Sequence, residues 1–162
     1  MRVALLYPEV YDMARFKDKR KEFPPFGVLY LAAVIEQAGH SVTVQAVTPS
    51  RTVLDLSGYD AVGFSLASSA TYGLMLQARR RSTFAGHALI MVGGVHCNFY
   101  PESSLADFNA DLAADGESEE TILEILERSG RREFAGIPGI LWRDPGGEIR
   151  RNPARPPYFL LY

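Results

Sequence analysis

The chain has 162 residues, 47% of them hydrophobic and 22% charged, with a formal net charge of −2 from 17 Lys and Arg against 19 Asp and Glu. That length suits one compact domain spanning residues 1–162, and the near-neutral charge excludes general polyanion binding, nucleic acid included. No apolar run approaches the roughly 18 residues needed to cross a bilayer. The single cysteine, Cys97, excludes a disulfide framework and any multi-cysteine metal site built by this chain alone, so a cytoplasmic setting is expected.

In chain order, MRVALLYPEV reads as a buried first strand over residues 3–7 and not as a secretory signal, because charge follows it at once. Residues 12–25 are expected to form an exposed loop. Its core, YDMARFKDKRKE at 11–22, carries Arg15, Lys17, Lys19, Arg20 and Lys21 against Asp12, Asp18 and Glu22. It reads as a mobile loop after strand one, either suited to approach a cofactor phosphate or an acidic partner, or a solvated loop with no partner. Pro24 and Pro25 then introduce a helix over 26–38, with Val28, Leu31, Ile35 and Ala38 at helical spacing and Gly39 as the stop. Strands follow at 42–47 and 61–65. Ser69 is placed to cap a helix to about 81, with Leu74, Met75 and Ala78 inward. A strand at 88–92, a short helix after Pro101 and a strand at 111–114 come next. Ser118 is placed to cap 119–128, where Glu119 and Glu120 suit the helix dipole and Gly130 ends the element. Residues 137–152 read as a hairpin around Asp144-Pro145-Gly146-Gly147, with Trp142 packing it onto the sheet.

The first, third and fourth strands are near-continuously apolar, the mark of strands buried on both faces of a parallel sheet. Strand and helix alternate, so the expected fold is α/β. It is a Rossmann-like, flavodoxin-like doubly wound five-stranded parallel sheet with helices on both faces, plus a C-terminal β-hairpin. Charge is segregated along the chain. From Glu102 to Glu127 there are acids and no Lys or Arg, and from Arg128 to Arg155 arginine predominates. The expectation is a solvated surface, or else an inter-domain contact.

Ligands of such sheets bind outside the carboxyl ends of the strands. There the sequence places Pro8-Glu9, Ser65-Leu66-Ala67-Ser68-Ser69, Gly93-Gly94-Val95-His96 and Asp115-Gly116-Glu117. Paired glycines let a ligand lie close on the backbone. G-x-G-x-x-G is absent after strand one, as is a Walker A lysine, and no nucleophile–base–acid set is evident. His40 and His87 fall in turns before strands and read as structural, while Cys97 reads as a small apolar filler.

The strings PPFGVLYLAAVIEQAGHSVTV, YDAVGFSLASS, IMVGGVHCNFYPE, ADGESEETILEIL and IPGILWR with a following GEIRRN, taken in that order and spacing, resemble the N-terminal cobalamin (vitamin B12)-binding domain of cobalamin-dependent radical SAM enzymes. The resemblance covers nearly the whole chain. It implies cobalamin as cofactor, its nucleotide tail entering between strands and its corrin over the sheet edge. By the same resemblance Ser65 and Leu66 line the tail pocket, Ser68 and Ser69 add hydroxyl contacts, and Gly93 and Gly94 let the tail pass, with Val95 and His96 nearby and Gly116 and Glu117 at the fifth strand end. The D-x-H-x-x-G motif that supplies a histidine to cobalt is missing, Pro8-Glu9-Val10-Tyr11 standing in its place, so base-off binding without a histidine ligand is implied. The C-x-x-x-C-x-x-C motif for an iron–sulfur cluster is also missing. The chain is therefore expected not to be catalytic alone, and to serve a radical SAM methyltransferase domain in cis or trans. The alternatives are a degenerate, non-binding interaction module or an unrelated sensor on the same fold.

Overall fold

The computed structural model describes residues 1–9 and 24–156, so the charged loop at 11–22 lies outside the described residues. Its elements are β1 (Arg2–Pro8), α1 (Phe26–Gln37), β2 (Ser41–Val47), β3 (Asp55–Leu56), β4 (Ala61–Ser65), α2 (Ser69–Arg81), β5 (Thr83–Phe84), β6 (Leu89–Gly93), α3 (Val95–Phe99), α4 (Pro101–Asp107), β7 (Leu112–Ala114), α5 (Glu119–Arg128), β8 (Ile140–Arg143) and β9 (Ile149–Arg151).

The central sheet runs β2-β1-β4-β6-β7-β8-β9. Its first five strands pair in parallel, and counted among themselves they stand in the order 2-1-3-4-5. This is the expected doubly wound arrangement, and strand order reverses between β1 and β4. The C-terminal hairpin is not separate from it. β8 pairs antiparallel with β7, and β9 with β8, so the hairpin extends the sheet to seven strands. The pair β3–β5 forms a two-residue parallel ladder too short to leave a pattern in the sequence.

Local signals act largely as read. Gly39, at φ +83°, ends α1 in a Schellman arrangement: its N–H bonds the Glu36 carbonyl at 2.9 Å and the His40 N–H bonds Ile35 at 3.2 Å. Ser68, one residue earlier than expected, occupies the N-cap position of α2, and Ser118 occupies that of α5, but neither side chain makes the capping hydrogen bond. The Ser118 hydroxyl instead donates to the Gly116 carbonyl at 3.1 Å. In the hairpin turn the Asp144 carboxylate accepts the N–H groups of Gly146 and Glu148, at 2.9 and 3.0 Å. Trp142 packs edge-on to Phe134, and its indole N–H reaches Asn152.

Alternation along the strands divides the core in two. One face carries Leu6, Val62, Phe64, Ile90 and Val92 beneath α2, α3 and α4; the other carries Val3, Leu5, Ala61, Leu89 and Met91 beneath α1 and α5. The segregated charges of the sequence meet in space. Arg151 bridges Glu102 and Asp115, Arg155 bridges Glu120 and Glu124, and Arg132 reaches Asp111. The acidic stretch and the basic tail are thus in good part each other's partners, not two independent solvated surfaces.

Candidate cofactor site

A cavity of about 850 Å³ opens at the carboxyl ends of β1, β4, β6 and β7 and runs down between the sheet and helices α1 and α5. Its size falls within the range of small-molecule sites, about 300–1,000 Å³. The sheet supplies its floor in two rows. Leu5, Gly63, Met91 and Leu112 stand side by side across four strands. One step nearer the edge come Ser65, Gly93 and Ala114, all small. From α1 come Phe26, Gly27, Val28 and Leu31, and from α5 Thr121, Ile122 and Ile125. The space exists because the row nearest the edge has almost no side chains while the helices stay propped apart by those below.

Two of the glycines do different work. A Cβ built on Gly93 would meet only the Ala114 Cβ, at 3.5 Å, an ordinary contact. A longer side chain there would project into the cavity. Gly94 sits at φ +96°, where L residues are strained, and a Cβ on it would stand 3.0 Å from the Leu66 carbonyl oxygen. Gly93 leaves the cavity open; Gly94 lets the chain turn.

Of the residues expected from the sequence, Ser65, Gly93, Gly94, Val95, Gly116 and Glu117 line the cavity. Leu66, Ser68, Ser69 and His96 do not. Leu66 is fully buried on the opposite face, its N–H bonding the Gly93 carbonyl at 2.7 Å and its carbonyl accepting the His96 N–H at 2.9 Å. Ser68 pairs with Thr71. His96 belongs to a short helix, α3, where the sequence suggested loop, and its ring lies between Tyr72 and Tyr100, centroids 4.6 and 5.1 Å away. Its Nδ1 is 3.1 Å from the Ser69 hydroxyl. His40 and His87 sit at the opposite edge of the sheet, beside the Met1 amine and Asp60 respectively.

Sequence reasoning missed Gly63, Ala114 and the α1 and α5 walls. Gly63 had a readable signal, a glycine inside an otherwise apolar strand. It also missed Asn98, whose side-chain oxygen accepts the Gly116 N–H at 3.0 Å and holds the turn after β7 against α3. Phe26 and Val95, which line the cavity, are exposed, each at 61%.

The charges at this edge are structural in their bonding. Arg151 donates to Asp115 at 2.9 Å and to Glu102 at 2.7 Å, and its guanidinium holds the Glu102 carboxyl below the usual carboxylate range. Burial pushes the Cys97 thiol up to about 12, and burial followed by the bond to Asp107 raises the Tyr72 phenol. Among the described residues no group of three or more His, Cys, Asp or Glu is placed to hold a metal ion, and no helix is long and apolar enough to cross a membrane.

A doubly wound sheet of 2-1-3-4-5 order takes its ligands at the switch point, and there this chain has an apolar cavity. A family model described as "B12 binding domain" matches residues 19–126, and the chain belongs to that family, whose cofactor is cobalamin. Over 141 residues it is 26% identical to "Uncharacterized methyltransferase PH0819" of Pyrococcus horikoshii, covering 82% of this chain and 30% of that protein. Over 158 residues it is 26% identical to cytidylyl-2-hydroxyethylphosphonate methyltransferase of Streptomyces wedmorensis, with the same coverages. The chain thus spans about 30% of the length of these curated relatives. Among solved structures it superposes on the radical S-adenosylmethionine methyltransferase TsrM of Kitasatospora setae with a TM-score of 0.69, at 19% identity, covering 94% of this chain and 30% of that one. It superposes equally, at 0.69 and 18% identity, on the cobalamin-dependent S-adenosylmethionine radical enzyme OxsB solved with aqua-cobalamin, over 96% of this chain and 22% of that one.

Proposed function

We propose that this chain holds cobalamin with its nucleotide tail in the cavity between the sheet and helices α1 and α5 and its corrin ring over the carboxyl edge. In this reading the cofactor is base-off, takes no histidine from this chain, and serves a radical SAM methyltransferase domain in cis or trans. The observation that carries the reading is the row Ser65, Gly93 and Ala114. It keeps an apolar slot open at the switch point of a chain that belongs to the B12 binding domain family.

When bound, the cofactor supplies a cobalt centre able to accept and pass on a methyl group; the chain supplies binding and orientation. Leu5, Met91, Leu112, Ile122 and Ile125 give the slot an apolar lining that excludes water from a buried aromatic base. Ser65 offers a hydroxyl at the mouth, where a ribose or phosphate would pass. Exposed Phe26 and Val95 form an apolar rim suited to the flat edge of a large ring. The absence of a histidine ligand is supported by the positions of the chain's three histidines, two at the far edge and His96 engaged with Ser69 and two tyrosine rings.

Reconstitution with hydroxocobalamin tests the reading. The protein peak should leave gel filtration red, in a ratio near one cofactor per chain. A folded but colourless protein peak overturns it and leaves the interaction-module alternative. The ligand question is read by electron paramagnetic resonance of the Co(II) form. A nitrogen superhyperfine pattern that disappears in His96→Ala would overturn the histidine-free assignment.

A further inference from the structure

We propose that Arg155 is a positioning residue that ties the α5 wall of the cavity to the segment following β9, so that filling the cavity and seating that segment favour one another. The inference rests on the cofactor reading above.

Arg155 is a long cation whose side chain is only 11% exposed. Among the described residues, its side-chain hydrogen bonds all go to one helix. Nε donates to the Thr121 hydroxyl at 2.7 Å, Nη1 to Glu120 at 2.8 Å, and Nη2 to Glu124. Thr121 is fully buried and lines the cavity, so the arginine reaches the wall itself. A planar fork with fixed donors fixes orientation in a way a lysine would not.

The placement is not what helix stability alone would select. Cations near the N-terminal turns of a helix oppose its dipole, and here Glu120 and Glu124 offset that. The N-cap side chain of α5, Ser118, makes no capping bond, so the tie to residues 120–124 is an anchor from outside the helix.

The other end of the tie is equally well held. The Asn152 side-chain amide donates to the carbonyls of Phe134 and Ile137, at 2.7 and 2.9 Å, and its N–H bonds Ile140 at 3.0 Å. The Gly139 N–H bonds the Pro153 carbonyl at 2.8 Å. Gly139 lies at φ +76°, and a Cβ there would stand 3.2 Å from the Arg155 Cβ, so the segment passes directly over it. A ligand that holds α5 in place therefore also holds Arg155, and linkage requires the reverse.

The test titrates hydroxocobalamin into the whole chain and into Arg155→Gln, Arg155→Lys and Glu124→Gln. In parallel, hydrogen exchange is followed at the Gly139 and Asn152 amides with and without saturating cofactor, under conditions where each variant is folded. In the native chain the cofactor should slow exchange at both amides several-fold. Arg155→Gln should raise Kd about tenfold, within the usual range of coupling between sites, and abolish that slowing. Arg155→Lys should fall between, keeping charge without the fork, and Glu124→Gln should move the same way less far. If Arg155→Gln does not fold, Glu124→Gln carries both readouts. Binding by the native chain with an unchanged Kd and undiminished slowing in the variants overturns the coupling and leaves a purely structural clamp. No binding by the native chain overturns the cofactor reading, and the coupling with it.

Discussion

The two faces of the sheet are built from the same strands, yet one is sealed and the other is open. Beneath α2, α3 and α4 the space is filled by rings: Phe64 meets Phe108 edge-on at 5.4 Å and Phe84 at 6.3 Å, and Tyr72 closes on Phe108 at 5.5 Å. Beneath α1 and α5 the part of the face farther from the mouth is packed by residues such as Ile35, Phe134 and Ile137, while toward the edge come Gly63 and then Ser65, Gly93 and Ala114. Close packing is the default of a protein interior. A run of missing side chains at one end of one face is thus the departure that marks where a ligand goes.

If the sealed face serves stability and the open face serves binding, substitutions should separate the two. The largest stability effect is expected from Phe108→Ala, which removes a fully buried ring from the sealed face. It should cost about 3–5 kcal/mol, a fall of roughly 6–20 °C in melting temperature for a chain of this size, measured by calorimetry. The folded variant should bind hydroxocobalamin as the native chain does, and a weakened affinity at a temperature where it is fully folded would break the division.

Gly93→Leu is the converse probe. Its Cβ is accommodated and the rest of its side chain enters the cavity, so binding should weaken at least about 100-fold, equivalent to about 2.7 kcal/mol, with little change in melting temperature. Retained affinity in a folded Gly93→Leu chain would refute the placement of the tail. Its neighbour should behave oppositely. Gly94→Ala forces a side chain into positive φ against the Leu66 backbone, a strain of about 1–3 kcal/mol. It should appear as lost stability more than as a blocked cavity, and a melting temperature equal to the native value would contradict the backbone role.

The smallest effect concerns Cys97, buried on the sealed face. Its thiol is raised from 9.0 to about 12, so the folded chain retains a proton that the unfolded chain gives up. Its contribution is complete below about pH 9 and is lost as pH rises towards 12. Native stability, followed by denaturant titration between pH 8 and 10.5, should therefore fall more steeply than that of Cys97→Ala. Parallel pH curves for the two proteins would show that the thiol is not sealed from water.

Much of this was readable from local patterns. The five parallel strands, α1 with its Gly39 stop, α2, α5 and the hairpin follow from apolar runs and turn residues, because those signals act within a few residues of the chain. Ser65, Gly93 and Gly116 were readable because doubly wound sheets place ligands after strands. The two-residue strands β3 and β5 were not, since so short a ladder is decided by what lies beside it. Nor was the placement of Leu66 and His96 away from the cavity. Successive residues along extended chain point to opposite faces, so Leu66, one past the cavity-lining Ser65, turns into the opposite core, and the ring of His96 packs with Tyr72 and Tyr100 instead.

By itself, then, the sequence determined the order of the five parallel strands, of α1, α2 and α5 and of the hairpin, and carried the resemblance to the family, since periodicity, turn chemistry and motif spacing are properties of the chain. Tertiary structure alone decided which glycine keeps the cavity open and which one turns the chain. It also brought Gly63, Ala114 and Thr121 to one cavity and matched the arginines of the tail to acids more than thirty residues earlier. The physical reason is distance along the chain. The cavity is bounded by residues from seven elements, and an ion pair by two, and no local pattern records which of them will be neighbours once the sheet has closed.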